Sequence, residues 1–142
     1  MNFRTCTIED YDLLVSLWKQ AGLPYKPRGR DSRESLAREM AVGSGSFIIA
    51  EADGKPAGTV LVTHDGRKGW INRVAVLPEY RKKGVGRALV DYAEQLLKDQ
   101  GIGIFACLIE DHNLESLEVF QKLGYVEFHG MHYLTKRLQP DI

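Results

Sequence analysis

One segment, Val74 to Arg87, limits the folds open to this 142-residue chain more than any other feature. An apolar strand ends at Pro78, and Gly84 and Gly86 open a long amphipathic helix. Glycines here let a ligand approach the backbone, and the amides of a first helical turn have no partner within the helix. Those amides and the helix dipole favour a phosphate group. The segment therefore predicts a strand–loop–helix unit that binds a pyrophosphate-bearing ligand. Four cations add positive charge to the same turn: Arg81, Lys82, Lys83 and Arg87.

Two common nucleotide-binding motifs do not fit this loop. A Walker loop needs Gly-Lys-Ser/Thr at a set spacing, which the chain lacks. The dinucleotide motif G-x-G-x-x-G fails at its third glycine, where the chain has Leu89. The loop by itself does not exclude a plainer interpretation, in which the glycines only shape a turn and the basic residues form a solvated face.

Hydrophobic periodicity gives the order of the remaining elements. It predicts β-α-α-β-β-β-α-β-α-β-β, in which a strand–helix–strand passage around residues 86–100 favours one parallel pair. We therefore predict an α/β (α+β) fold with one domain over residues 1–142, in which a mixed, mostly antiparallel sheet of about seven strands carries four helices on its faces. The predicted helices are 8–21, 32–42, 86–100 and 113–122, and the predicted strands are 3–6, 47–51, 57–63, 70–76, 104–109, 125–129 and 131–138.

Composition excludes several classes of protein. The chain has 19 basic and 19 acidic residues, so its formal net charge is zero, and a dedicated nucleic-acid binder would carry a basic excess. No apolar run is long enough to span a bilayer, and the first ten residues do not resemble a signal peptide. Cys6 and Cys107 have no metal-ligand or disulfide spacing. We expect a cytoplasmic protein without a metal, a membrane partner or a nucleic-acid partner.

Two motifs carry a resemblance to a known family. Residues 74–86 resemble the main signature of the GNAT acyl-CoA N-acyltransferases, R/Q-x-x-G-x-G/A after a V-x-V-x-P strand end. Within that family the chain is similar to small stand-alone bacterial or archaeal members, such as the YpeA-like and ribosomal-protein N-acetyltransferases. A second signature, N-x-x-A-x-x-x-Y-x-x-x-G-F/Y, is resembled in order by Asn113, Ser116, Phe120, Gly124 and Tyr125.

The resemblance implies a GNAT fold and acetyl-CoA as co-substrate. The pantetheine arm is expected along strand 70–76, with the backbone N–H of Val76 on the thioester carbonyl and the pyrophosphate on the amides of residues 82–87. Asn113 is expected to contact the CoA arm, and a helix cap is its other interpretation. The implied cofactor-binding residues are Val74, Val76, Arg81, Lys82, Lys83, Gly84, Val85, Gly86, Arg87 and Asn113.

The implied function is an N-acetyltransferase that moves acetyl from acetyl-CoA directly to a primary amine within a ternary complex. The acceptor is a small metabolite, or a protein N-terminus or lysine, and a homodimer is left open. Phe120 stands where many members have a Tyr general acid, so no catalytic residue can be assigned. The alternative is a non-catalytic module of the same fold that senses acyl-CoA. Candidate substitutes for the acid or base are Glu110, Asp111 and His112. His64, His129 and His132 are better explained as structural or solvent-facing. A packing role is expected for Tyr133 and a core position for Cys107.

Overall fold

Five strands form one sheet in the order β1-β2-β3-β4-β5. The computed structural model describes residues 1–43 and 45–142, and Ser44 lies outside the described residues. The first four strands pair antiparallel, and β5 pairs parallel to β4, as the strand–helix–strand passage predicted. The strands are β1 (Asn2–Thr5), β2 (Gly45–Ala52), β3 (Lys55–His64), β4 (Gly69–Val76) and β5 (Phe105–Ala106).

Four helices lie where the periodicity predicted them. Ser32 caps the second helix by accepting from the amide of Ser35 at 3.2 Å, and Gly22 ends the first helix in the left-handed conformation (φ 78°). The first predicted helix begins with a short 3-10 turn, Ile8–Asp10. The helices are α1 (Tyr11–Ala21), α2 (Arg33–Val42), α3 (Val85–Asp99) and α4 (Leu114–Lys122).

The alternation of side chains along the strands divides the core into two halves. In β2, Ile48 belongs to the half that α3 covers, whereas Phe47 and Ile49 belong to the half that α1 and α2 cover. Trp18 of α1 and Leu89 of α3 are both 0% exposed. Helices on both faces therefore hold the central strands, and β1 and β5 are the edge strands of the sheet.

The C-terminal end of the chain differs from the prediction. Residues 125–129 and 131–138 were predicted as a hairpin, but residues 125–138 form no strand. Apolar alternation is present there, yet a strand also needs a ladder partner, and the edge strand β5 pairs over only two residues. Among the described residues the sheet therefore has five strands rather than about seven. Several large apolar side chains of this segment are 70–90% exposed: Val126, Phe128, Met131, Tyr133, Leu134 and Leu138.

Candidate functional site

A cleft of about 960 Å³ opens where β4 and β5 separate. The two strands pair only at Gly69↔Phe105 and Trp70↔Ala106, and beyond that point the side chain of Asn72 accepts from the amide of Leu108 at 3.0 Å. The predicted strand 104–109 is therefore much shorter than its apolar run. Because the strands diverge, the backbone edge of β4 beyond Asn72 is left open to the cleft.

The amide of Val76 points to that open edge. The next residue, Leu77, donates its N–H to the carbonyl of Ala57 at 2.9 Å, towards β3. Successive backbone groups of a strand point to opposite edges, so the N–H and C=O of Val76 point away from β3. Its carbonyl accepts from Nε of Arg81 at 3.0 Å, which agrees with this orientation.

The glycine loop closes one end of the cleft. Gly84 caps α3 with φ 84°, and Lys82 is also left-handed, with φ 60°. The first intrahelical bond runs from Ala88 N to Gly84 O, so helix geometry leaves the amides of Val85, Gly86 and Arg87 for an outside acceptor. Side chains of Lys82 and Arg87 are exposed beside them. Such a turn is an anion-binding arrangement.

Nine of the ten predicted cofactor-binding residues line this cleft, and Lys83 does not. The ammonium of Lys83 instead lies 6.0 Å from the centroid of the Tyr80 ring. Arg81 lines the cleft, but its guanidinium also donates to the carbonyl of Ala21 at the end of α1, at 3.0 Å. Arg81 therefore has a structural role that its place in a basic run did not indicate.

Asn113 is a helix cap, which is one of the two interpretations that the sequence left open. Its side-chain oxygen accepts from the amide of Ser116 at 3.2 Å and so caps α4. It also lines the cleft, across from β4. The cap does not use the side-chain nitrogen, Nδ2, which leaves its two N–H donors for a ligand.

The candidate acid–base residues lie in different surroundings. Phe120 is buried and lines the cleft with a ring that has no proton to donate. His112 and Glu110 are exposed at the cleft wall, with 3.4 Å between His112 Nε2 and Glu110 Oε2, whereas Asp111 is exposed and does not line it. Tyr133 lies at the rim and is 73% exposed, so the packing role predicted for it is wrong.

The remaining predicted structural residues contribute little chemistry. His64 accepts from the amide of Gly66 at 3.1 Å and so supports a turn, and His129 and His132 are exposed. Cys107 is half-buried: it packs against the core and also lines the cleft. Burial raises the pKa of its thiol to about 11, so the thiol stays protonated at neutral pH. The described residues hold no group of three or more His, Cys, Asp or Glu placed for a metal ion.

The opposite end of the cleft holds charged residues that sequence reasoning missed. Asp31 is 4% exposed, and its Oδ2 lies 3.8 Å from Nη2 of Arg73. Glu39 lines the same wall, and its pKa is raised by desolvation and then by the charge of Asp31. No motif marks these residues, because the first two helices bring them to β4 only through tertiary packing. A buried acid such as Asp31 within a turn-rich loop has no signal in a single sequence.

Comparisons with known proteins agree with this architecture. A model of the acetyltransferase (GNAT) family matches residues 11–125. The chain is similar to aminoglycoside N-acetyltransferase AAC(6')-Iy in complex with the bisubstrate analogue CoA-S-monomethyl-acetylneamine, with 21% identity, 96% of this chain and 97% of that chain covered, and a TM-score of 0.78.

Two further solved structures have the same fold. The paia N-acetyltransferase from Thermoplasma acidophilum, in complex with coenzyme A, is 22% identical over 86% of this chain and 87% of that chain, with a TM-score of 0.73. A predicted acetyltransferase from Clostridium acetobutylicum, with acetyl-CoA, is 20% identical over 94% and 95%, with a TM-score of 0.76. At these identities the likeness establishes the fold. The predicted fold class is confirmed, with fewer strands than expected.

Among the described residues no helix is long and apolar enough to cross a membrane.

Proposed function

The chain belongs to the GNAT acetyltransferase family, and from this premise we propose that it transfers acetyl from acetyl-CoA to a primary amine within a ternary complex. The observation that carries the proposal is the cleft between β4 and β5, which ends at the glycine loop. Known structures of this fold that hold CoA or acetyl-CoA support the choice of co-substrate. Since acetyl-CoA is made and used inside cells, the proposal places the reaction in the cytoplasm.

In this proposal the open edge of β4 binds the pantetheine arm. Val74 and Val76 supply backbone groups along that edge, and the N–H of Val76 polarises the thioester carbonyl as negative charge develops on its oxygen. The diphosphate binds the amides at the start of α3, with the side chains of Lys82 and Arg87 beside it. Asn113 holds the arm from the other wall of the cleft.

The protonation state of the Cys107 thiol in the cleft favours direct transfer over an acyl-enzyme. Cys107, with a pKa raised to about 11, is protonated at neutral pH and is a poor nucleophile. The neutral amine therefore attacks the thioester carbon, a C–N bond forms, and the C–S bond breaks with the electron pair on sulfur. The amine proton passes to water. The CoA thiolate is a good leaving group even though Phe120 has no proton to offer, and it takes a proton from water afterwards.

A calorimetric titration with acetyl-CoA and CoA tests the binding half of the proposal. We expect binding of wild-type protein, and a loss of at least tenfold in affinity for Lys82→Glu, because a cation at the anion-binding turn becomes an anion. Lys83→Glu is the matched control: it makes the same charge change at the next residue, outside the cleft lining. Equal losses in both variants would show that only the overall field matters, and no binding by folded wild-type protein would remove the proposal.

Thiol release with a panel of amines tests the transfer half. Neamine, a peptide with an N-terminal alanine and a lysine-containing peptide cover the acceptor types, a small metabolite, a protein N-terminus and a protein lysine. Turnover of any amine supports the enzyme. Phe120 favours the second candidate, a module that senses acyl-CoA without turnover, and binding without turnover across the panel would support that candidate instead.

We also propose a homodimer, on the strength of the apolar side chains exposed in residues 126–138. Large apolar side chains exposed within one segment are typical of an interface. Light scattering on the protein as it elutes from a size-exclusion column measures the mass of the protein in solution directly. A monomer at high micromolar concentration would contradict the dimer without bearing on catalysis.

A further inference from the structure

Arg73 has an unusual backbone conformation in the wall of the cleft. Its φ is 54°, in the left-handed region, where a residue other than glycine is strained. The register of β3 and β4 runs from Thr59↔Ala75 to Leu61↔Asn72, so two residues of β4, Arg73 and Val74, lie opposite one of β3. This is a β-bulge immediately before the open edge of β4.

The guanidinium of Arg73 joins three separate parts of the fold. It lies over the ring of Trp18 in α1, with 4.3 Å between the guanidinium carbon and the ring centroid. Its Nη2 donates to the carbonyl of Pro24 at 3.0 Å and lies 3.8 Å from Oδ2 of Asp31. Both of these partners belong to the α1–α2 loop, residues 22–32. The side chain is only 17% exposed, so these contacts are poorly screened by water.

The α1–α2 loop is itself organised around Asp31. The carboxylate accepts from the amide of Lys26 at 2.8 Å, and the backbone carbonyl accepts from the hydroxyl of Tyr11 at 2.9 Å. These hydrogen bonds connect the loop at Asp31, and Arg73 attaches the loop to β4. Gly22, Leu23, Pro24, Arg30 and Asp31 of the loop line the cleft opposite the open strand edge.

We propose that Arg73 is a positioning residue for the acceptor amine, because it holds the α1–α2 loop at a set distance from the β4 edge. This rests on the proposed acetyl transfer, in which that edge binds the thioester. A displacement of about 1 Å between two reacting groups costs up to about 100-fold in rate. The strained bulge and the guanidinium contacts together set the width of the cleft at the point of reaction.

One nitrogen of the guanidinium is left without a partner. Nε of Arg73 is buried and makes no hydrogen bond to the described part of the chain. A buried donor in that state destabilises the fold, because it has lost its hydrogen bonds to water without replacing them. Strain and an unpaired donor in a single residue are typical of a site shaped for function.

Arg73→Lys tests the proposal with the charge retained. An ammonium cannot lie flat on Trp18 and donate in the guanidinium plane at once, so the loop is released from β4. We expect kcat/KM to fall fivefold or more for the amine of the panel that the wild-type protein acetylates. The Kd for CoA should stay within twofold of wild type. A smaller fall, or an equal loss of CoA affinity, overturns the proposal.

Arg4→Lys is the matched control. Arg4 forms a bidentate salt bridge with Asp10, with hydrogen bonds of 2.8 and 2.9 Å, but it does not line the cleft. We expect this variant to leave amine kcat/KM unchanged.

If Arg73→Lys does not fold, Asp31→Asn replaces it, since the amide oxygen still accepts from Lys26 while the charge facing Arg73 is removed. The same loss is expected, to a smaller degree, and its absence overturns the proposal.

Amide hydrogen exchange separates this inference from the proposed function. In Arg73→Lys we expect faster exchange in residues 23–32 and no change in α3, whether or not wild-type protein acetylates any amine of the panel. Wild-type protein without turnover contradicts the proposed function alone. Unchanged exchange in the loop contradicts the role of Arg73 alone.

Discussion

Replacing Gly84 with alanine tests whether the glycine loop serves a ligand or only a turn. Gly84 has φ 84°, so alanine there is strained, and we expect the free energy of unfolding to fall by about 1 kcal/mol. An added Cβ meets no protein atom within 4 Å. The strain is therefore the only cost to the free protein, and a fall of about 2–5 °C in Tm is expected.

The complex should lose much more than the free protein. The new methyl group occupies open space beside the turn, where the diphosphate is proposed to lie. Separating the phosphate oxygens from one backbone amide removes a hydrogen bond to a charged group, which is worth about 1.5–3 kcal/mol. That corresponds to about a 10- to 100-fold loss of CoA affinity.

Gly101 supplies a matched control at the other end of α3. Its φ is 82°, and an added Cβ there also meets nothing within 4 Å, so Gly101→Ala has the same backbone strain away from the cleft. Thermal unfolding and calorimetric titration with CoA are measured for both variants. Equal losses of stability with a CoA affinity reduced only in Gly84→Ala are expected. If both variants bind CoA like wild type, Gly84 only shapes the turn, and the argument for an anion site fails.

Three further predictions follow from individual residues. Gly86→Ala should raise Tm, because alanine favours a helix over glycine by about 1 kcal/mol and the new Cβ would lie at an ordinary contact distance, 3.7 Å, from the Val76 side chain. CoA affinity should stay within fivefold of wild type. A lower Tm would contradict this packing. Cys107→Ala should retain kcat within about threefold, and complete loss of turnover by folded protein would support an acyl-enzyme instead. The Arg4 hydrogen bonds lower the pKa of Asp10, so the pair should stabilise the fold above the unfolded pKa of about 3.9 and lose that contribution as the pH falls through the lower folded pKa. Urea unfolding of Asp10→Asn should therefore differ from wild type at pH 6 and converge with it in acid.

Features that depend on neighbouring residues were predictable from the sequence. Asp53-Gly54, a dipeptide typical of a tight turn, is formed by two left-handed residues, with φ 53° and 75°, between β2 and β3. The apolar stripe of α3 was placed within one residue of its observed start. The two signatures led to the GNAT family, which the family comparison confirms.

Features that depend on distant partners were not predictable. The apolar run 104–109 predicts a strand, but only two of its residues pair, because β5 diverges from β4 where Asn72 takes over the contact. The same divergence removes the partner that the predicted hairpin of residues 125–138 needs. A run of basic residues likewise does not reveal that Arg81 binds the end of α1 while Lys83 lies outside the cleft.

The sequence by itself determined the kind and order of most elements, the glycine loop and the family. Each of these depends on side-chain periodicity or turn chemistry within a few residues, which the chain carries locally. Only the tertiary structure decided the width of the cleft, the bulge at Arg73 and the attachment of the α1–α2 loop to β4. Those features arise from strand register and from contacts between residues about 40 to 60 positions apart, and packing alone selects such partners.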